Sequence, residues 1–490
     1  MVFSSYTFLL VFLPLALIGF YLLRWRGAFQ TSVSFLLFAS FAFYAYWSLF
    51  HLTLLLASIG LNFVIGRYAA TGPTKQKRRI ATILGICTNL ALIFVFKYLD
   101  FAATNIAALM DSEWRLLGLL LPLGISFFTF QQIAYLVDCY TTQRNERSLS
   151  NYALFVSFFP QLIAGPIVHH EHTRPQFANL AIHQVDRNAI AYGLMIFAMG
   201  LAKKTLIADP IARAIDPIYA GAAAGASIAA TDAWFAAIGY TLQIYFDFSG
   251  YCDMAIGLGL MFGIRLPVNF NSPYKSKSII EFWRRWHITL SNFLRDYVYI
   301  PFGGNRGRDI FRFRNIFLTM LIGGIWHGAA WTFVIWGAIH ATLITLNHMM
   351  RTYAPSFDQW NDALSVAIKR TATLSIVGLA WVFFRAETPD AAISIITGLS
   401  AISEHGTSIA PDIIGLTLFA SIVALFAPNS LEIAGYTARL DKPIPNSMPS
   451  QPLSPAVMRP TPLSAMATAI MLACGIAVAW KPAVFIYFNF

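Results

Sequence analysis

Charged side chains are scarce in this sequence. Asp, Glu, Lys and Arg make up only 12% of its 490 residues, while 57% of the residues are hydrophobic and 15% are aromatic. A typical soluble protein is roughly 25% charged. Several apolar runs reach the ~20 residues that an α-helix needs to cross a bilayer. The composition predicts an all-α, polytopic membrane protein, and it excludes a disordered chain, a secreted disulfide scaffold and an ordinary soluble enzyme.

Cysteine is rare as well. Cys87, Cys139, Cys252 and Cys474 are scattered along the chain, and no pair has the spacing of a metal or redox site. We interpret them as small apolar residues and expect no metal. The sequence also lacks a P-loop, a G-x-S-x-G elbow and an H-E-x-x-H motif. An NTPase, a serine hydrolase and a zinc protease therefore have no support.

Acidic residues are fewer than basic ones, 23 against 34, which gives a net charge of +11. The stretch Lys275–Arg314 holds nine basic and three acidic residues. Smaller basic groups lie at Lys75–Arg79 and at Arg24 and Arg26. The positive-inside rule assigns such loops to the cytoplasm and places the N-terminus outside. This interpretation is favoured over nucleic-acid binding.

Twelve apolar runs are candidate spans, and we expect roughly 10–12 spans in all. The first run has no basic region before it and no clear cleavage site, so we interpret it as a retained span and not as a signal peptide. Seven prolines within residues 440–463 indicate a linker. The runs are approximately 6–23, 31–49, 51–66, 80–98, 115–137, 189–207, 232–248, 251–264, 316–346, 372–385, 410–428 and 464–481.

Two segments are neither clean spans nor clean loops. Residues 157–170 form an apolar run interrupted by Pro160, Gly165 and Pro166, which predicts a re-entrant segment buried in protein. Residues 281–295 separate aromatic from charged side chains at 100° per residue, which predicts one interfacial amphipathic helix. In that helix His287 falls at the edge between the two faces.

His327 is the most informative residue of the sequence. It lies in G-G-I-W-H-G-A-A-W, within a run from Asn315 to Met350 that contains no Lys, Arg, Asp or Glu. An ionisable group inside a membrane span is a candidate functional site. Burial keeps an imidazole neutral, as a general base requires, and Trp326 and Trp331 are candidate pocket walls. A structural role for His327, as a histidine that forms a hydrogen bond with a neighbouring helix, is equally well supported by the sequence. For His340 and His348 this structural role is favoured.

Three further polar residues stand out in apolar surroundings. His287 is a second candidate functional histidine, although the polar edge of an interfacial helix would also account for it. Asp247 and Asp253 flank Gly250 within an apolar stretch. They would orient a histidine, carry protons or pair with an arginine, and the structural pairing is favoured.

Three blocks of this sequence resemble the signatures of the membrane-bound O-acyltransferase (MBOAT) family. They are FFPQLIAGPI, FWRRWHITLSNFLRDYVYIPFGGNRG and IGGIWHGAAWTFVIWGAIH, which together extend over about residues 157–340. Within the family, the match is closest to the membrane subunits of bacterial alginate O-acetylation. The resemblance implies one MBOAT domain over residues 1–490, with N-terminal spans (1–150), a catalytic core (151–350) and C-terminal spans (351–490).

The resemblance also implies a chemistry. The family transfers an acyl group, usually acetyl from acetyl-CoA, to a hydroxyl across the membrane. The histidine of its W-H-G block is catalytic, here His327, and that of its FWRRWH block is the second functional histidine, here His287. His327 would then deprotonate the acceptor, while His287 orients the donor or stabilises the oxyanion. Arg284, Arg285, Trp326 and Trp331 are candidate donor-binding residues, with basic side chains for the phosphates of coenzyme A.

The chain ends in F-I-Y-F-N-F, which resembles the F-x-Y-x-x-F ending of this group. The resemblance implies that Tyr487 accepts the acyl group and passes it outward. An aromatic anchor at the membrane interface is the alternative, and it is favoured.

The sequence therefore predicts an O-acyltransferase of the bacterial inner membrane that serves O-acetylation of an exopolysaccharide such as alginate. A periplasmic acetyltransferase-like partner of the SGNH type, the polysaccharide and membrane lipid are its expected partners, with no nucleic acid. The same chemistry on peptidoglycan, cellulose or teichoic acid is the rival within enzymes. A polysaccharide transporter or export scaffold is the rival from another class.

Overall fold

The regular secondary structure is helical in the part of the chain that the structure describes. The computed structural model describes residues 1–353, 362–401, 409–436, 461–479 and Ile486. The helices up to residue 202 are α1 (Leu13–Trp25), α2 (Phe29–Ala45), α3 (Leu49–Thr71), α4 (Lys75–Ile93), α5 (Leu99–Leu109), α6 (Ile125–Thr142), α7 (Leu149–Ser157), α8 (Phe159–Leu162), α9 (His170–Leu180) and α10 (Arg187–Ala202).

The helices that follow carry the candidate catalytic residues. They are α11 (Asp209–Ala223), α12 (Ala230–Met261), α13 (Ile279–Arg285), α14 (Ile288–Leu294), α15 (Asp309–His327), α16 (Trp331–Tyr353), α17 (Ala363–Arg385), α18 (Pro389–Gly398), α19 (Pro411–Phe426), α20 (Ser430–Ile433) and α21 (Pro462–Val478). The described residues also contain four π-helical turns, Thr7–Phe12, Phe94–Tyr98, Lys203–Ala208 and Arg295–Tyr299, and one 3₁₀ turn, Pro273–Lys275.

Local sequence signals fix many of the helix ends. The side chain of Ser278 accepts a hydrogen bond from the Glu281 amide at the start of α13, and Thr388 does the same for Ala391 at the start of α18. Such caps satisfy amides that have no partner in the first turn. Proline occupies the first turn of α18, α19 and α21, where its missing N–H does no harm.

Six helical segments in the described ranges are long and apolar enough to cross a membrane. They are Thr7–Trp25, Leu49–Thr71, Lys75–Leu109, Arg187–Ala223, Trp331–Tyr353 and Ala363–Arg385. Three shorter apolar helices are α2, α19 and α21. The chain is thus an all-α polytopic membrane protein. The predicted total of 10–12 spans stays a prediction.

Four of the predicted spans are wrong in detail. Residues 112–124 are not helical, so the run 115–137 is helical only from Ile125 onward. The runs 232–248 and 251–264 belong to one continuous helix, α12, which passes through Gly250 without a break. The run 316–346 is interrupted, because Gly328 has extended backbone and ends α15 before α16 begins. The predicted linker at 440–463 falls mostly outside the described residues.

Two compact units make up the fold. The first contains residues 1–201, 251–268 and 434–480, and the second contains residues 202–250, 269–433 and 481–490. The predicted blocks 1–150, 151–350 and 351–490 stay a prediction.

In the first unit, helices α3, α4 and α6 pack together around buried amides. The side chains of Asn62 and Asn89 exchange two hydrogen bonds, of 3.2 and 2.7 Å, and Ser58 donates to Gln132 at 3.3 Å. Such polar contacts hold helices together where lipid gives no hydrophobic driving force between them.

The interrupted segment at residues 157–170 also lies in the first unit. The one-turn helix α8 follows α7, the backbone from Ile163 to His169 is not helical, and every side chain from Phe158 to Val168 is buried. The side-chain Nε2 of Gln161 donates a hydrogen bond to the Phe155 carbonyl at 2.7 Å. Non-helical backbone is tolerated at membrane depth where protein surrounds it, and these residues meet that condition.

In the second unit, α15 and α16 pack closely at a pair of glycines. A Cβ on Gly324 would lie 2.6 Å from the Phe333 carbonyl oxygen and 2.7 Å from the Gly337 Cα. Real Cβ atoms do not approach backbone so closely. The two helices therefore meet through bare backbone immediately before His327.

We expect Gly324→Ala to lower the free energy of unfolding by about 1–3 kcal/mol, because the added methyl group has to push two backbones apart. Unfolding of the detergent-solubilised protein in SDS measures this change. Gly323→Ala is the matched control, since its Cβ would meet only the Leu294 Cδ1, at 3.1 Å, on a side chain that rotates. Equal losses in the two variants would contradict the prediction.

Candidate active site

The helix is interrupted at His287. The interfacial helix predicted over residues 281–295 is wrong as one element, because α13 ends at Arg285 and α14 begins at Ile288. His287 stands between them with φ at +43°, in the left-handed region. Its side chain is fully buried, as is that of Trp286 beside it, so His287 is not at a polar helix edge.

Asn269 stabilises this strained turn. Its side-chain Oδ1 accepts hydrogen bonds from the amide of Thr289 at 3.2 Å and from the hydroxyl of Thr289 at 2.9 Å. The same oxygen lies 3.2 Å from the Nδ1 of His287. Because Oδ1 can only accept, Nδ1 carries the imidazole proton and Nε2 carries the lone pair.

His327 is the last residue of α15, and 3% of its surface is exposed. Its ring centroid lies 4.9 Å from that of Trp326, 5.0 Å from that of Trp336 and 5.0 Å from that of Phe384. Trp381 packs on Trp336 and on Phe384. We name Trp326, Trp336, Trp381 and Phe384 the aromatic box.

The two candidate histidines converge on one ring of this box. The Trp326 indole lies 4.9 Å from the His327 ring and 6.2 Å from the His287 ring. Phe248 of α12 packs edge-on against His287 with its centroid 4.9 Å away. The structure thus brings His287 and His327 into one aromatic environment, although forty residues separate them in the sequence.

This environment suits proton transfer by neutral imidazole. His287 lies outside the candidate spans, and burial lowers its pKa from 6.5 to about 3. A buried neutral ring can accept a proton from a reacting hydroxyl, and a dry setting strengthens every charge that develops there. In the described ranges, no three His, Cys, Asp or Glu side chains form a group that could hold a metal ion.

The low pKa of His287 predicts a pH-dependent stability. The unfolded chain gains a proton at this residue as the pH falls below 6.5, whereas the folded chain does so only near pH 3. The free energy of unfolding should therefore fall by about 1.4 kcal/mol per pH unit between pH 6 and 4. We expect His287→Asn, which tolerates the left-handed backbone, to show a slope smaller by that amount. Parallel slopes in SDS unfolding of the two proteins would contradict the prediction.

The predicted donor-binding residues differ in their exposure and in their contacts. Arg285 is engaged, since its Nη2 lies 2.8 Å from the Glu281 Oε1 and its Nη1 donates to the Asn271 carbonyl at 3.3 Å. Arg284 is exposed on the same helix. Trp326 lies in the aromatic box. Trp331 is 54% exposed, so the indole that covers His327 from α16 is that of Trp336.

The predicted intramembrane aspartates are buried. Asp247 pairs with Lys204, whose Nζ lies 2.8 Å from the Asp247 Oδ1, so its partner is a lysine and not the arginine that we expected. The same ammonium lies 2.7 Å from the Oδ1 of Asp209. We name Lys204, Asp209 and Asp247 the ion cluster. Asp253 is 4% exposed.

His340 has a structural contact. Its Nδ1 accepts a hydrogen bond from the Trp283 indole at 3.2 Å, and its ring packs on Trp336 at 4.6 Å. This contact supports the structural role favoured for it from the sequence. His348 lies half-buried near the end of the same helix.

Sequence reasoning missed several residues of the site. No sequence signal marked Asn269, which stabilises the turn at His287, because asparagines are common in loops. The same holds for the box residues Trp336, Trp381 and Phe384, because aromatic residues are common in membrane spans. Lys204 did carry one, because it is an ionisable residue inside an apolar run.

Tyr487, the predicted acyl relay, lies outside the described residues. The residue before it is described: the Ile486 amide donates a hydrogen bond to the Asp247 Oδ2 at 3.0 Å. Ile486 therefore contacts the ion cluster.

Comparison with known proteins decides the family. The profile of the MBOAT, membrane-bound O-acyltransferase family, matches residues 139–384, which include both histidines and the whole aromatic box. This chain belongs to that family. Peptidoglycan O-acetyltransferase of Helicobacter pylori is 43% identical to it over 81% of this chain and 80% of the relative.

Two further relatives are named for acetylation and for D-alanyl transfer. A protein of Pseudomonas aeruginosa with the name "Probable alginate O-acetylase AlgI" is 42% identical over 79% of this chain and 72% of its own length. Teichoic acid D-alanyltransferase of Bacillus subtilis is 28% identical over 50% of this chain and 65% of its own length. The protein is an O-acetyltransferase of the MBOAT type, and a multi-pass membrane protein that takes its acyl group from a donor.

Proposed function

We propose that this MBOAT enzyme takes acetyl groups from acetyl-CoA at the cytoplasmic face of the bacterial inner membrane and transfers them outward for O-acetylation of a polysaccharide. His327 is the catalytic base. The observation that supports this assignment best is the position of His327, buried at the end of α15 among the rings of Trp326, Trp336 and Phe384.

The proposed step is an acyl transfer by general-base catalysis. The neutral imidazole of His327 accepts the proton of an acceptor hydroxyl, and the oxygen forms a bond to the thioester carbonyl carbon. The carbon–sulfur bond then breaks, and the coenzyme A thiolate leaves and takes the proton from the imidazolium. The products are an acetyl ester and coenzyme A thiol, so no metal or redox partner is needed.

His287 assists the same step in this proposal. Its Nδ1 proton is directed to Asn269, so Nε2 is the nitrogen that addresses the donor or the acceptor. Arg284 is the arginine that we propose for the phosphates of coenzyme A, since Arg285 is engaged by Glu281. Trp326 forms the wall between the donor and the two histidines, and Trp331 contributes from the exposed start of α16.

An exopolysaccharide such as alginate is the acceptor that we propose, reached through a periplasmic partner of the SGNH type. Five relatives with the name "Probable alginate O-acetylase AlgI" are 40–43% identical to this chain, which supports the proposal. Peptidoglycan is the second candidate, because the peptidoglycan O-acetyltransferase relative is 43% identical.

Gene deletion followed by ester analysis tests the proposed function. Base-labile acetate should disappear from the secreted polysaccharide and remain on the peptidoglycan. Loss from the peptidoglycan alone would select the second candidate. Purified protein in lipid nanodiscs should also release coenzyme A thiol from acetyl-CoA, and an absence of thiol release with every acceptor tested would reject the acyltransfer mechanism.

A further inference from the structure

The segment that leads into α15, residues 300–314, is strongly basic. Its charged residues are Arg306, Arg308, Asp309, Arg312 and Arg314. The Arg312 Nη2 lies 3.4 Å from the Asp309 Oδ1, so the one acid of the segment is engaged. Arg306 and Arg308 are exposed, and neither side chain forms a hydrogen bond or an ion pair with any residue that the structure describes. Two guanidinium groups therefore face outward and can hold an external anion.

Large apolar side chains are exposed in the same segment. They are Ile300, Phe302, Ile310 and Phe311. The Arg314 guanidinium lies over the Phe311 ring, 5.2 Å from its centroid. Apolar and basic side chains that share one exposed segment are typical of a membrane interface, where the first enter the acyl boundary and the second meet the phosphates.

The contacts of α15 place this segment at a membrane boundary. The Arg312 Nη2 donates a hydrogen bond to the Thr352 hydroxyl at 3.4 Å. Thr352 lies at the end of Trp331–Tyr353, a helix long and apolar enough to cross a membrane. The start of α15 therefore lies at the level where that helix leaves the bilayer. The excess of arginine assigns this level to the cytoplasmic face.

The segment has a fixed conformation. Gly304 adopts a φ of +57°, and its carbonyl accepts a hydrogen bond from the Asn315 Nδ2 at 3.1 Å. Asn315 is buried in α15 and also accepts hydrogen bonds from the Arg314 guanidinium through its Oδ1. Because the loop is ordered by these contacts, little conformational entropy is lost when a ligand binds to it.

We propose that residues 300–314 bind anionic phospholipid of the cytoplasmic leaflet. Arg306 and Arg308 hold the lipid phosphates, since the planar guanidinium matches phosphate oxygens in a bidentate geometry. The exposed apolar side chains insert beside them at the acyl boundary. A phosphate compound dissolved in water would satisfy the arginines but would leave those apolar side chains uncovered. This inference does not depend on the acyl transfer.

Hydrogen exchange tests the proposal at the segment itself. The full-length protein is placed in nanodiscs of phosphatidylcholine alone or of phosphatidylcholine mixed equally with phosphatidylglycerol, and peptides over residues 300–314 are followed by mass spectrometry. We expect exchange to be at least about fivefold slower with phosphatidylglycerol, since one arginine beside an anionic surface contributes a factor of about five. Exchange at the same rate in both membranes would overturn the proposal.

Two double variants show which charges matter. Arg306→Gln with Arg308→Gln should abolish the difference between the two membranes. Lys75→Gln with Lys77→Gln is the matched control, because it removes the same charge from another exposed loop and should keep the difference. Loss of the difference in both double variants would mean that net charge alone attracts the lipid, which would overturn a site at residues 300–314.

A third variant and a competing ligand test the kind of partner. Ile310→Gln keeps both arginines and removes an exposed apolar side chain, and we expect it to reduce the difference by about threefold or more. An unchanged difference would overturn the insertion. Coenzyme A is added to the phosphatidylcholine nanodiscs as the alternative source of phosphate. Protection by coenzyme A, with none from phosphatidylglycerol, would assign the arginines to a soluble ligand and overturn the proposal.

Discussion

Replacement of His327 by alanine is expected to lower acetyl transfer by about 10²–10⁴-fold, the range that a positioned general base contributes. The imidazole is buried in a box of aromatic rings, where water has little access to act in its place. Release of coenzyme A thiol from acetyl-CoA by the purified protein measures the effect. The loss should appear in kcat, because the missing proton acceptor acts in the transition state.

His348→Ala is the control for this variant. It removes a half-buried histidine from the end of α16, distant along the chain from the aromatic box, and we expect activity within about twofold of the wild type. Both variants should elute as the wild type does in size-exclusion chromatography. Retention of more than about a tenth of the activity by folded His327→Ala would exclude this residue as the general base.

Replacement of Lys204 by methionine is expected to lower the free energy of unfolding by about 3–5 kcal/mol. The change removes the cation that lies between two buried carboxylates, at 2.7 and 2.8 Å. Those carboxylates then face each other without the ammonium that lay between them. SDS unfolding at pH 7 measures the loss.

Lys203→Met is the matched control, one residue away. The Lys203 ammonium donates to the Ser430 hydroxyl at 2.8 Å and is only partly buried, so its loss should cost about 1 kcal/mol. A similar cost for the two lysines would mean that the ion cluster contributes no more than one hydrogen bond.

The sequence predicted the fold class, and it singled out His287 and His327 as candidate site residues, because scarce charge and its exceptions are visible locally. Scarce charge and long apolar runs are sufficient for a helical membrane protein. His327 was identifiable because it is an ionisable residue in an uncharged run. The buried, interrupted segment at residues 157–170 was predictable from its prolines and glycine.

The break between α13 and α14 was not predictable, because periodicity assumes that a helix continues. The amphipathic pattern over residues 281–295 extends through His287, yet the chain there adopts a left-handed turn. That turn is stabilised by Asn269, which is eighteen residues distant in the sequence. Only a tertiary contact can override a local pattern in this way.

Of the two predicted pocket walls, Trp326 lies in the aromatic box and Trp331 does not, for a geometric reason. Trp331 and Trp336 are five residues apart in α16, which places them about 140° apart around the helix axis. Trp336 shares the interior with His327, whereas Trp331 is 54% exposed. A sequence motif shows that residues are close in the chain but not which face of a helix they occupy. Phe384 belongs to the aromatic box from α17, and no motif marks it.

The π-helical turn Lys203–Ala208 has an evolutionary consequence. A π turn contains one more residue than the α-helical turn that it replaces, so it behaves as a one-residue insertion. Deletion of one residue there would rotate Asp209 by about 100° relative to Lys204 and separate the two charges. Homologues with a single-residue gap at this point should therefore lack the lysine and at least one of its aspartates. The gap and the loss of the charges should be inherited together.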